Sequence, residues 1–147
     1  MKSLWFLIAS LLDGGWHLSK FDKNTMQGTF PYGVLFEEDK AYLNKFKEAL
    51  AKGREVILDN SIFELEEAFD ADKFNKWVNE LKPTWYIVPD ALEDAGKTCD
   101  QMEDWINKGY GYEGSGKIGV VQGRTYDEIV DCYNYMNKSA DVDMIAI

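Results

Sequence analysis

Three polar side chains stand where an apolar run stops: Asp59 after Val56-Ile57-Leu58, Asp90 after Trp85-Tyr86-Ile87-Val88-Pro89, and Gln122 after Ile118-Gly119-Val120-Val121. A carboxylate at the edge of a dry interior needs a partner, because desolvation is costly or shifts its pKa. Two aspartates, a glutamine and an aromatic such as Phe63 at one rim would suit a flat base with a guanine-like edge. The N1–H and exocyclic amine of that edge can both donate to one carboxylate. Its O6 needs a donor that a glutamine amide supplies, and its face can stack on a ring. A plainer role competes: Asp59 can accept from the amides of Ser61 or Ile62 as an Asx-turn, and acids are favoured at helix N-termini generally. A carboxylate pair, Asp59 with Asp90 or Glu64, would equally equip a glycoside hydrolase, with the groups roughly 5 to 9 Å apart.

Periodicity supplies the elements that must position these residues. Val56 to Leu58 has no polar alternation, as expected of a parallel strand buried on both faces. Leu4 to Ala9, Trp85 to Val88, Lys117 to Val121 and Asp143 to Ile147 read as further strands. The first helix runs from Glu37 to Lys52 and stops at Gly53; the second carries Phe74, Trp77, Val78 and Leu81, with Asp70 or Asp72 as cap. A third, from about Asp94 to Lys108, buries Cys99, Met102, Trp105 and Ile106. A fourth follows the capping box Thr125-x-x-Glu128, with Ile129, Cys132, Tyr133 and Met136 on its stripe. Trp16 to Gly33 is a long irregular connection whose His17 reads as a surface or packing residue.

The three polar positions recur at intervals of about 30 residues, the length of one βαβ advance. Right-handed crossovers then put them at one edge of a parallel sheet, where barrels and doubly wound sheets bind ligands. No G-x-G-x-x-G follows the first strand, which weakens a dinucleotide-binding fold. A barrel needs about 250 residues, and this chain has 147. The expectation is an α/β chain of parallel (β/α) repeats: one partial domain over residues 1–147, the N-terminal half of a (β/α)8 TIM barrel, with four β/α units plus a fifth strand. An apolar strand at the end would leave an unpaired edge, which suggests a piece of a larger enzyme. A five-stranded open α/β domain is the alternative.

Hydrophobic residues at 46% and aromatics at 14% exclude a disordered chain. A net charge of −10 without a visible basic cluster opposes direct nucleic-acid contact unless another segment supplies the basic residues. Cys99 and Cys132 form no C-x-x-C pair and read as buried, reduced thiols of a cytoplasmic protein. With His17 the only histidine, no zinc site is expected in these residues. Gly111 to Lys117 spells G-x4-G-K, yet a helix precedes it, a strand follows and Ile118 takes the Ser/Thr slot, so it is no phosphate loop. Tyr110 and Tyr112 read as packing residues there. No stretch reaches the length of a membrane span, and Leu4 to Leu12 lacks signal-peptide flanks.

From Glu55 onward the order and spacing of the motifs resemble the tRNA-guanine transglycosylases, including viral relatives that place 7-deazaguanines in DNA. Leu58-Asp59-Asn60-Ser61-Ile62-Phe63-Glu64 is similar to the family's L-x-D-S-G-G-F-Q, Pro89-Asp90 to its F-D, and Gly119-Val120-Val121-Gln122-Gly123 to its G-I-V-Q-G. Asp143 to Ile147 resembles the strand before its Gly-Gly-Leu loop. The resemblance implies base exchange: an aspartate attacks the ribose C1′, guanine leaves, and a 7-deazaguanine enters from the same side through one covalent intermediate. It implies Asp59 as catalytic acid/base and Asn60, Ser61, Phe63, Asp90, Gln122 and Gly123 as substrate-binding residues. Phe63 would stack, Asp90 would take N1–H and the 2-amino group, and Gln122 with Gly123 would face O6. Asn60-Ser61-Ile62 replaces Ser-Gly-Gly and Glu64 replaces a glutamine, so the loop is bulkier where the base would approach. The family's nucleophilic aspartate and Cys/His zinc site lie past the last matching motif. Zinc, and the contact with tRNA or DNA, are expected only from a part beyond Ile147, and the chain alone is expected to be inactive. The expected ligand is a guanine or 7-deazaguanine base; no membrane partner is expected, and self-association as a homo-oligomer is left open. The rival readings are a nucleobase-binding subunit without a nucleophile and the glycoside hydrolase.

Overall fold

The computed structural model describes residues 40–62, 70–138 and 141–147. The first strand candidate, His17, Phe63 and Glu64 lie outside the described residues. Helix α1 spans Lys40–Ala51 and buries Tyr42, Leu43, Phe46 and Ala49. It stops at Gly53, whose φ of 73° a glycine adopts without strain. Strand β1, Ile57–Leu58, follows. Helix α2, Ala71–Leu81, begins at Asp70, whose side chain accepts from the amides of Asp72 and Lys73, and ends at Lys82 in the left-handed conformation before Pro83. Strand β2 is Trp85–Ile87. Helix α3, Ala95–Asn107, is capped by Asp94, which accepts from the Lys97 amide. Strand β3 is Gly116–Val120, helix α4 Tyr126–Lys138 and strand β4 Met144–Ala146.

The four strands form one parallel sheet in the order β1-β2-β3-β4. Trp85 pairs with Ile57 and Gly116, and Ile118 with Ile87 and Met144. Period-2 alternation sorts the strand side chains cleanly. Val56, Leu58, Tyr86, Val88 and Val121 join the main core with Phe46, Phe74, Trp105 and Met136 from the four helices. Ile57, Trp85, Ile87, Ile118, Val120, Met144 and Ala146 form a second apolar cluster on the opposite face, to which no described helix contributes. Successive crossovers of one hand, with no reversal of strand order, put every described helix on the same face.

Trp105 anchors the helix-side core. Its ring lies 5.5 Å from Phe74, 5.7 Å from Tyr86 and 5.3 Å from Tyr110, and its indole N–H donates to the Tyr86 hydroxyl at 3.2 Å. Tyr110 and Tyr112 pack against this core from the loop before β3, and the Tyr110 hydroxyl donates to Asp72. A Cβ on Gly111 would strike the Tyr86 hydroxyl, so the loop glycine is what lets the chain close over that ring.

The expected helical stripes need correction at their edges: Cys99 and Ile106 of α3, expected to be buried, are half-buried. Tyr133, placed on the buried stripe of α4, is 38% exposed; Cys132 and Met136 carry that stripe, with Ile129 half-buried at its edge. Lys40 and Lys47 of α1 and Lys76 of α2 line a groove of about 510 Å³ with Leu43, Trp77 and Glu80, and Lys47 pairs with Glu80 at 3.0 Å. Among the described residues no helix is long and apolar enough to cross a membrane.

Candidate functional site

The chain leaves β1, β2 and β3 at the same edge of the sheet, and three polar side chains meet there. Asp90 is 2% exposed. Its Oδ1 accepts from Asn60 Nδ2 and its Oδ2 from Gln122 Nε2, each at 2.6 Å. Burial pushes the Asp90 carboxyl above the usual carboxylate range, while the Asn60 and Gln122 amides pull the other way by bonding its charged form. Asp90 and Gln122, singled out from the sequence, are thus brought together across neighbouring strands.

Both amides have their orientation fixed by a second partner. Asn60 Oδ1 accepts from the Ile62 backbone N–H at 3.1 Å, which turns Nδ2 toward Asp90 and the Val88 carbonyl, the latter also at 3.1 Å. Gln122 Oε1 accepts from the Glu93 backbone N–H at 3.0 Å, which turns its Nε2 toward Asp90. Asn60 is fully buried, whereas Gln122 is half-buried. The outer amide is therefore the one that solvent reaches.

Asp59 is half-buried one residue before Asn60, and its Oδ1 lies 3.4 Å from the Ser61 N–H, a long Asx-type contact. Ser61 is buried with φ at 66°, a left-handed backbone that glycine adopts more readily. Phe63 lies outside the described residues. Gly123 has no room for a side chain: a Cβ would come within 2.9 Å of Glu128 Cβ and of the Ile129 amide nitrogen. That close approach presses the Gln122 segment against the first turn of α4. There the expected capping box forms, with Glu128 Oε2 accepting from the Thr125 and Arg124 amides and Thr125 Oγ1 from the Glu128 amide. Those backbone donors hold the Glu128 carboxyl below its ordinary value.

Two supports had no sequence signal. Thr98 Oγ1 both accepts from the Ala91 N–H and donates to the Ala91 carbonyl, tying the loop that carries Asp90 to α3. Glu93 stands at φ 57° and its carboxylate lies 3.5 Å from Arg124, bridging the second and third loops. Among the described residues no group of three or more His, Cys, Asp or Glu side chains could hold a metal ion.

Chemically, a buried carboxylate held by two side-chain amides is a hydrogen-bond acceptor whose orientation those amides fix. Comparison of the chain with known protein families, curated proteins and solved structures gives no match.

Proposed function

We propose that this chain carries the base-recognition side of a tRNA-guanine transglycosylase-like enzyme, which exchanges guanine for a 7-deazaguanine in tRNA or DNA. The observation that carries this reading is the carboxylate of Asp90, buried at the strand ends and held between Asn60 and Gln122. A structural cap takes backbone amides from its own helix, as Asp70 and Asp94 do here. The side-chain partners of Asp90 come from 30 residues before it and 32 after it. In this reading the N1–H and 2-amino group of the base replace Gln122 as donors to Asp90, and the released Gln122 amide turns to O6. Asp59 serves as acid/base at the rim, Ser61 and Gly123 bring backbone close to the base, and Phe63 supplies the stacking face.

The fold supports the barrel half of the reading. A doubly wound sheet needs helices on both faces and a switch in strand order. Consecutive strands with every described helix outside, and apolar side chains at Ile87, Ile118 and Ala146 inside, are what one half of a (β/α)8 barrel requires. The raised pKa of Asp90 is what a glycosidase acid would also show, but that reading gives Gln122 and its bond to Asp90 no purpose.

Isothermal titration of the chain with guanine, 7-deazaguanines and oligosaccharides tests the proposal. Guanine-edged bases should bind and Asp90→Ala should abolish that binding. Heat released by oligosaccharides alone, or adenine binding as well as guanine, would overturn it.

A further inference from the structure

We infer that Asn60 is a positioning residue: it does not touch the base but holds the Asp90 carboxylate ionised and oriented, by bridging Val88, Asp90 and Ile62 from inside the sheet edge. The inference rests on the base-binding reading of Asp90 and departs from the contact with substrate that the family resemblance implies for position 60. Three observations carry it. Asn60 is 0% exposed. The two hydrogens of Nδ2 go to the Val88 carbonyl and Asp90 Oδ1, and Oδ1 takes the Ile62 amide. The side chain thus has no donor left for a base, and its amide cannot flip without setting Nδ2 against the Ile62 N–H and a carbonyl oxygen against both Val88 O and the carboxylate.

A serine at position 60 would still accept from the Ile62 N–H but is too short to span to Asp90 as well. With a serine here the buried carboxylate would lack that inner donor. The consequence is electrostatic. A buried carboxylate is kept charged only by the donors that face it. In the base-binding reading Gln122 leaves when a base arrives, and Asn60 is the side-chain donor that remains, beside a backbone amide. Among the described residues the charged groups on the surrounding loops are Asp59 beside Asn60, Glu93 with its partner Arg124, the helix cap Asp94, and Glu128 in the first turn of α4; substitution of Asn60 replaces none of them.

The test is carboxyl-detected NMR titration of Asp90 in the full chain, for wild type, Asn60→Ser and Asn60→Asp, alongside guanine affinity at pH 6 and pH 8. The Asp90 midpoint should move up in both variants, and furthest in Asn60→Asp. Guanine binding by Asn60→Ser should fall about tenfold or more at pH 6, the scale of one charge-assisted hydrogen bond, and recover toward wild type at pH 8. A role confined to the local turn would weaken binding equally at both pH values and leave the midpoint in place, which overturns the inference. The wild-type chain gives a readout independent of any variant's folding: the Asn60 side-chain amide resonances should shift with the Asp90 midpoint, and a flat response also overturns it. If wild type binds no guanine while the Asp90 midpoint still responds to position 60, the base-binding reading falls and the positioning role stands.

Discussion

Replacing Asp90 by Asn tests whether the site is kept for function at the expense of stability. The folded protein raises the Asp90 pKa above its ordinary 3.8 because burial outweighs the amide donors. A raised pKa means that the folded state binds the proton more tightly than the unfolded chain does. Its contribution to stability is therefore full below the unfolded value and is lost as pH rises through the folded one. At neutral pH the ionised side chain is a net cost to folding. Asparagine removes that cost but meets two N–H donors with one oxygen. Asn60 cannot turn, being held by Ile62 and Val88. Gln122 can, giving up the Glu93 amide to water for about 1 kcal/mol. Exchanging two charge-assisted bonds for neutral ones loses about 1 kcal/mol each, and relief of carboxylate desolvation offsets several kcal/mol. Asp90→Asn should thus unfold within about 1–2 kcal/mol of wild type at pH 7, or above it. Its standing relative to wild type should worsen as pH falls, because only wild type gains from protonation. Guanine binding should be lost at every pH. Urea unfolding of both proteins from pH 4 to pH 8 measures this. An Asp90→Asn variant that becomes progressively less stable than wild type as pH rises would refute the reasoning, since it would make the ionised carboxylate a stabilising pair.

Other outcomes follow from the same geometry. Trp105→Ala should cost about 3–5 kcal/mol in chemical denaturation, the range for deleting a fully buried aromatic, and should leave Tyr86 without its indole donor. Ser61→Gly should be tolerated, whereas Ser61→Val should lie about 1–3 kcal/mol below it in stability, since a β-branched side chain resists a φ of 66°. Thr125→Ala should lose about 1 kcal/mol through the broken cap. The contribution of Glu128 is full above the ordinary carboxylate value and is lost as pH falls through its lowered one, so Glu128→Ala should look more like wild type in acid. The chain alone should show no exchange of labelled guanine into tRNA or DNA.

The alternation of four helices and the strands between them was legible because each apolar run is short, unbroken and followed by a polar stop, and because three of the helices announce themselves with side-chain caps. The meeting of Asp90 with Gln122 was legible for the same reason, since parallel crossovers of similar length return the chain to one edge. The full duty of Asn60 was not: its partners Val88 and Asp90 lie 28 and 30 residues away, and nothing local marks an asparagine that faces inward. The Thr98 clamp on Ala91 and the lysine groove are invisible for a related reason, being products of helix rotation and pairing. Tyr133 shows the limit of periodicity itself. A 3.6-residue repeat marks a stripe about 100° wide, and whether a residue at its edge is covered depends on the neighbouring helix, which the pattern does not contain.

The same strand ends carry their own control for separating a site from a scaffold. Asp70, Asp94 and Asp90 are all aspartates at the start of a loop or helix, and sequence logic treats them alike. Asp70 and Asp94 are exposed and take backbone amides two or three residues on. Those features suffice for a cap, which needs only to satisfy the first turn. Asp90 is buried, draws its side-chain donors from two other strands, and is shifted toward the neutral form by its surroundings. Folding gains nothing from that arrangement that an apolar residue would not supply more cheaply. An acid placed there and faced by a buried asparagine and a half-buried glutamine is the feature that the proposed base-binding role accounts for and a capping role does not.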